Sequence, residues 1–302
     1  MEKTVIFAGP ASAGLARQLG ELLAAPVVQA HERTFPDGET CASGVIDARF
    51  DRVILVQGTH PPQDRHLQQL FQMIESAGAQ GDFEIICVVP YLAYSRQDRR
   101  SRPGEPLSAA VVLRILRMLG VTELVTVDVH NPGIFEDAEL DWASLSAAHP
   151  IAEQIRSLAL RAPIMVSPDA GGERRTRLIG ERLHYPTVVL AKRKANDGTT
   201  TYDQIGQEVV DRDAVVVDDL SSSGSTLIPL VAALREAGAR TVTVIVTHLF
   251  ADIDGLRSAL GDDVRLLSTD SIPSPASVIS LASLIAGYLT ARRAGHVRGK
   301  AA

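Results

Sequence analysis

One stretch of the chain gathers chemistry that its neighbours lack. Val215-Val216-Val217-Asp218-Asp219-Leu220-Ser221-Ser222-Ser223-Gly224-Ser225-Thr226 runs from an apolar strand-like segment into two carboxylates, then hydroxyls and a glycine, then an apolar stretch from Leu227. Backbone N–H groups around Gly224, the hydroxyls of Ser222, Ser223 and Thr226, and the start of the following helix can all donate to a phosphate. Two adjacent carboxylates do not favour phosphate, but they accept hydrogen bonds from neighbouring sugar hydroxyls. A phosphorylated sugar offers both groups. The plainer alternative is a strand end with a serine cap and two solvated acids. The coincidence of so many features in one loop speaks against it.

Other segments carry complementary groups. Ser167-Pro168-Asp169-Ala170-Gly171-Gly172 places a carboxylate past a strand and then two glycines, which let backbone amides approach an anion before a helix begins. Lys192-Arg193-Lys194 sets three cations ahead of 195–200, a stretch with the composition of a flexible flap. Four arginines lie between Arg96 and Arg102, beside Gln97 and after Tyr91 and Tyr94; guanidinium forks suit phosphate oxygens. His130 ends the run Thr126-Val127-Asp128-Val129-His130. A histidine there serves structure as readily as chemistry, and Asp128, two residues back on the same strand face, is the other candidate. Phe35-Pro36-Asp37-Gly38-Glu39 taken alone is an ordinary turn.

The elements that must position these groups follow from periodicity. Strands are expected at 4–8, 53–57, 84–90, 124–129, 164–167, 187–191, 214–218, 241–247 and 265–268. Helices are expected at 13–23, 65–77, 108–119, 151–160, 173–183, 226–237 and 276–291. Their alternation predicts an α/β architecture with parallel sheets, whose ligands bind at the carboxyl ends of strands. The length of 302 residues suits two domains, expected at 1–148 and 149–302. A weak repeat supports two similar domains: Leu116-Arg117, Gly120, a Val-Thr-Val strand and His130 match Leu234-Arg235, Gly238, Val-Thr-Val and His248. A net charge of -6 argues against a general nucleic-acid surface. The two cysteines lack metal-ligand spacing. The absence of a long apolar run argues against a membrane partner, and a cytoplasmic protein is expected.

Taken together, the segments resemble the ribose-phosphate pyrophosphokinase family over nearly the whole chain. The 215–226 stretch is similar to the phosphoribosyl pyrophosphate loop of type I phosphoribosyltransferases, with Ser222 in place of an Asp, Ser223 of a Thr and Ser225 of a Gly. Lys194 stands where relatives carry Arg. Asn131-Pro132-Gly133-Ile134-Phe135 replaces the family's Gln-x-x-Gly-Phe-Phe.

The resemblance implies two type I phosphoribosyltransferase-like domains, each a mainly parallel sheet flanked by helices, with the last helix packing on the first domain. It implies a magnesium-dependent transfer of the pyrophosphate of ATP to ribose 5-phosphate, giving phosphoribosyl pyrophosphate and AMP. Arg96, Gln97 and His130 would hold ATP, completed by Phe35, Asp37 and Glu39 of a neighbouring subunit in a homo-oligomer, a dimer at least and a hexamer in many relatives. His130 and Asp169 would lie at the magnesium. Asp169, Gly171 and Gly172 would face the pyrophosphate, Asp218 and Asp219 the ribose hydroxyls, and Ser222, Ser223, Gly224, Ser225 and Thr226 the sugar phosphate. Lys192, with Arg193 or Lys194, would act on the reacting phosphates. Two alternatives share much of this pattern: a phosphoribosyltransferase, and a non-catalytic regulatory paralogue.

Overall fold

Runs of Val, Ile and Leu bounded by turn residues form the strands, and each stretch with apolar positions three and four apart becomes a covering helix. The computed structural model describes residues 3–136, 139–194, 200–202 and 205–293, with backbone alone at 194 and 293. The chain divides into two compact units, one taking residues up to Ser146 and again from Leu281, the other Ala147–Ser280.

The first unit contains β1 (Thr4–Ala8), α1 (Ala13–Leu23), β2 (Val27–Gln29), β3 (His31–Thr34), β4 (Thr40–Ser43), β5 (Arg52–Val56), α2 (Gln63–Gly78), β6 (Glu84–Val88), α3 (Ser108–Met118), β7 (Glu123–Val127) and β8 (Asp141–Leu145). Its six-stranded sheet has the order β2-β1-β5-β6-β7-β8, and β3 and β4 form a separate hairpin. The second unit contains α4 (Ala148–Ser157), β9 (Ile164–Ser167), α5 (Glu173–Leu183), β10 (Thr187–Val189), β11 (Lys192–Lys194), β12 (Thr200–Tyr202), β13 (Asp213–Ser221), α6 (Leu227–Glu236), β14 (Thr241–Leu249), α7 (Ile253–Leu260), β15 (Arg265–Thr269) and β16 (Ser277–Ile279). Its sheet runs β10-β9-β13-β14-β15-β16, again with a separate hairpin, β11-β12. Every ladder in both six-stranded sheets is parallel. No helix among the described residues is long and apolar enough to cross a membrane.

The last helix, α8 (Ala282–Arg293), belongs to the first unit and packs on α1. A buried charge cluster clasps it there. Arg292 pairs with Glu123, which is buried at 1% exposure, and with Glu84 at 2.7 Å; Arg52 takes the other Glu84 oxygen at 2.6 Å, and the Tyr288 hydroxyl donates to Glu123.

The internal repeat lies in a different place from the expected one. By sheet order β7 is fifth in its sheet and β14 fourth, so the match of 116–130 with 234–248 is a likeness between single strand-helix units. The true correspondence is α1 with α5, 160 residues apart. Gly20 and Gly180 both lie against the next strand, where a Cβ would come 2.4 Å from Val27 or Thr187. Ala24 and His184 both end their helices in the left-handed region. Pro26 and Pro186 follow.

Three other expectations change. The helix expected over 276–291 begins at Ala282, and Ser277–Ile279 becomes β16. Hydroxyls of Ser274 and Ser277 bond nearby backbone groups and hold a turn there. Strand β13 continues through both acids to Ser221, because the nine-residue β14 extends the ladder beneath them. Strand β7 ends at Val127, and Asp128 follows with φ at 40°, so strand alternation no longer places it on the face of His130.

Candidate functional site

In the second unit the loops after β9, β10 and β13 meet at one point. Asp169 caps a short 3-10 turn, its Oδ1 accepting from the N–H groups of Gly171 and Gly172 at 3.0 and 3.3 Å. Its Oδ2 lies 3.3 Å from Lys192 Nζ, and the same ammonium lies 3.3 Å from Thr226 Oγ1. A Cβ on Gly172 would come 2.8 Å from Ser167 Oγ, so the turn depends on that glycine. One lysine therefore ties the Asp169 turn to the hydroxyl loop.

The hydroxyl loop is open. Ser222, Ser223 and Ser225 are exposed, Gly224 is buried with φ at 74°, and a Cβ there would come 2.6 Å from Leu256. Only glycine suits both that backbone and that space. Thr226 precedes α6 without a side-chain cap, and the Ile228 N–H is taken by the Gly224 carbonyl at 2.9 Å, so the loop's hydroxyls are its main donors to an anion.

The acids are under electrostatic load. Burial first, and then the charge of Asp219, push the Asp218 carboxyl up to about 8. Arg175 of α5 opposes this from 3.8 Å beside Asp219. Tyr202 of β12 pairs across the hairpin with Lys192; burial and then the charges of Asp169 and Asp218 raise its pKa. Tyr202 had no motif to announce it, and Arg175, which follows the Asp169–Gly172 motif directly, comes to the acids only once α5 is folded.

Strand alternation turns Arg193 to the face opposite Lys192, and Arg193 is exposed. The Lys194 side chain and the flap residues 195–199 lie outside the described residues.

In the first unit, Arg96 and Gln97 lie on the loop after β6, and exposed His130 on the loop after β7. Gln97 is set in a turn by Tyr94, whose φ is 64° and whose hydroxyl donates to Asp64 at 2.5 Å. Asn131 Nδ2 donates to Asp98 Oδ2 at 2.7 Å, the largest of the influences holding the Asp98 carboxyl below its ordinary range. Phe35, Asp37 and Glu39 form the tip of the β3-β4 hairpin. Asp37 accepts from the Glu39 N–H at 3.1 Å, and Arg33 lies 4.3 Å over the Phe35 ring. A groove of about 530 Å³ lined by Glu39, Thr40 and Arg65 adjoins that tip.

Among the described residues, no group of three or more His, Cys, Asp and Glu converges as a metal cage. His130 and Asp169 belong to different units.

The chain matches known proteins along most of its length. Residues 4–120 match the N-terminal domain of ribose phosphate pyrophosphokinase, and residues 142–281 the phosphoribosyl transferase domain. The ribose-phosphate pyrophosphokinase of Saccharolobus solfataricus is 34% identical over 81% of this chain and 84% of that protein. That of Methanothermobacter thermautotrophicus is 33% identical over 94% and 99% respectively. The crystal structure of phosphoribosylpyrophosphate synthetase from Mycobacterium smegmatis shares the fold, with a TM-score of 0.84 over 97% of this chain and 100% of that one, at 24% identity. With both halves accounted for, this chain belongs to the ribose-phosphate pyrophosphokinase family.

Proposed function

We propose that the chain transfers the pyrophosphoryl group of ATP to the anomeric hydroxyl of ribose 5-phosphate, using the residues described above. The observation that carries this reading is the Lys192 ammonium, shared between Asp169 and Thr226. On this reading, that ammonium is the group at which the transferred phosphates would meet the sugar.

Ribose 5-phosphate binds with its phosphate on Ser222, Ser223, Gly224, Ser225 and Thr226, and its hydroxyls donate to Asp218 and Asp219. ATP is held by Arg96, Gln97 and His130, completed by Phe35, Asp37 and Glu39 of a second copy, so the working form is a homo-oligomer. The anomeric oxygen attacks the β-phosphorus, and the bond from that phosphorus to the α,β-bridging oxygen breaks. The hydroxyl proton is lost and AMP leaves. Charge gathers on phosphate oxygens, so fixed cations carry the catalysis. Lys192 supplies a cation, Gly171 and Gly172 use their N–H groups to hold the Asp169 carboxylate beside the pyrophosphate, and Lys194 adds charge from the same hairpin strand.

Magnesium fits this chemistry. It binds through one or two carboxylates together with substrate phosphates and waters, and Asp169 already holds a cationic group at 3.3 Å. Asp169 and His130 are assigned to it; when bound it would neutralise phosphate oxygens.

The test incubates the protein with ATP, ribose 5-phosphate and magnesium and separates the products. AMP and phosphoribosyl pyrophosphate in equal amounts, dependent on sugar and metal, are expected. Formation of ADP instead would overturn the proposal.

A further inference from the structure

The stretches bearing Arg96-Gln97 and His130 lie on separate loops of the first unit, and a hydrogen bond between Asn131 and Asp98 joins them, with the His130 charge also acting on Asp98. Asp98 directly follows Gln97, and Asn131 directly follows His130. Asn131 Nδ2 donates to Asp98 Oδ2 at 2.7 Å across 33 residues of chain. The Asn131 Oδ1 accepts from the Gly133 N–H at 3.0 Å, which fixes the amide with its NH2 toward the carboxylate. The Tyr94 hydroxyl anchors the same loop to Asp64, two residues before Arg96. Arg96 and Gln97 thus sit between two ties, and the second tie also holds the loop of His130.

The bond also has an electrostatic consequence. Asp98 stands among arginines, with Arg99 close enough to influence it. A carboxylate free to turn toward a guanidinium would compete with a phosphate for the same fork. By engaging Oδ2, Asn131 turns the carboxylate away from that competition.

We propose that Asn131 is a positioning residue for nucleotide binding, acting through Asp98 to hold the Arg96-Gln97 loop and the His130 loop in one arrangement. The inference rests on the reading that these three residues face ATP. Asn131 belongs to the segment 131–135, which departs from the family's Gln-x-x-Gly-Phe-Phe.

The test is a double-mutant cycle on the full-length protein, with Asn131→Ala, Asp98→Ala and both together, read as KM for ATP, KM for ribose 5-phosphate and kcat. Asn131→Ala should raise the KM for ATP about tenfold in the wild-type background and by less than about twofold in the Asp98→Ala background, where its partner is already gone. The KM for ribose 5-phosphate should stay within about twofold, since its loop is untouched. Asn131→Asp, equal in shape, should reproduce the defect at neutral pH because a carboxylate cannot donate to Asp98. Multiplicative effects in the double variant, an unchanged KM for ATP, or an equal rise for both substrates would each overturn the inference. Calorimetric titration of ATP into the same variants reads the coupling without turnover. A wild-type chain that makes no AMP would therefore count against the reaction, while equal ATP affinity across the cycle would count against Asn131.

Discussion

The two units have one strand order and opposite crevices. In the first unit Ile6 pairs with Val27 and Phe7 with Leu55; in the second Met165 pairs with Thr187 and Val166 with Val216. Carried one residue past Val56 and Val217, the correspondence puts Gln57 where Asp218 stands. Gln57 is fully buried. Its Oε1 accepts from the Ala11 N–H at 3.1 Å and its Nε2 donates to Gln69 at 3.1 Å. Ser12 Oγ accepts from the Gly58 N–H at 2.8 Å, and Thr59 Oγ1 from the Ala93 N–H at 2.7 Å. The first crevice satisfies its own amides with neutral side chains and is sealed. The second has exposed hydroxyls and two carboxylates. One scaffold thus supports either a closed structural corner or a charged site, and the choice rests on a few residues after the third strand.

The largest effect should come from the cation in the open crevice. Lys192→Ala removes a donor aimed at developing charge, and turnover should fall by about 10²–10³-fold. The melting temperature should hold, because the ammonium is partly exposed and ties loops rather than core. Full turnover in the variant would remove Lys192 from the chemistry and weaken the contrast between the units.

The first unit should respond in the reverse sense. Arg292→Ala leaves the carboxylates of Glu123 and Glu84 facing each other at the foot of the sheet without their shared guanidinium. Removing one partner of a buried pair costs about 3–5 kcal/mol. Urea unfolding should show a loss of that order, while turnover of the folded protein stays near wild type. A midpoint unchanged by the substitution would mean that the clasp on α8 contributes little.

The sequence made the open crevice easier to read than the closed one. Asp218, Asp219, Asp169 and Lys192 lie at the ends of strongly apolar strands, so their type and place were legible together. Arg175 and Tyr202 reach the acids only through the folding of α5 and the β11-β12 hairpin, which no local pattern reports. Strand β3 was missed because all four of its residues are exposed and show no alternation. The repeat expected from sequence lies one strand out of step, since valine-rich strands resemble each other more than their positions differ. Its true register is carried by Gly20, Pro26 and their partners Gly180 and Pro186, where close packing leaves few choices. Gln57, Ser12 and Thr59 look like ordinary loop residues until their hydrogen bonds are seen.

A smaller effect tests the correspondence itself. Asp218→Asn gives the second unit the kind of neutral amide that the first already holds in Gln57. In the unfolded chain an aspartate titrates near about 3.9, whereas burial and Asp219 raise Asp218 to about 8 in the folded protein. Between those values the folded state holds the extra proton, so stability falls as pH rises. The contribution of this carboxyl is fully present below about pH 4 and is lost by about pH 8. Asparagine cannot ionise and escapes that loss. Asp218→Asn should therefore melt higher than wild type at pH 8.5, with the difference shrinking steadily toward pH 5. The same substitution removes an acceptor for the ribose hydroxyls and should raise the KM for ribose 5-phosphate. A melting difference that stays flat across this range would show that Asp218 is not held protonated by its neighbours. A difference that grows with pH while sugar binding weakens would show that the second crevice gives up stability for a charge the first one does without.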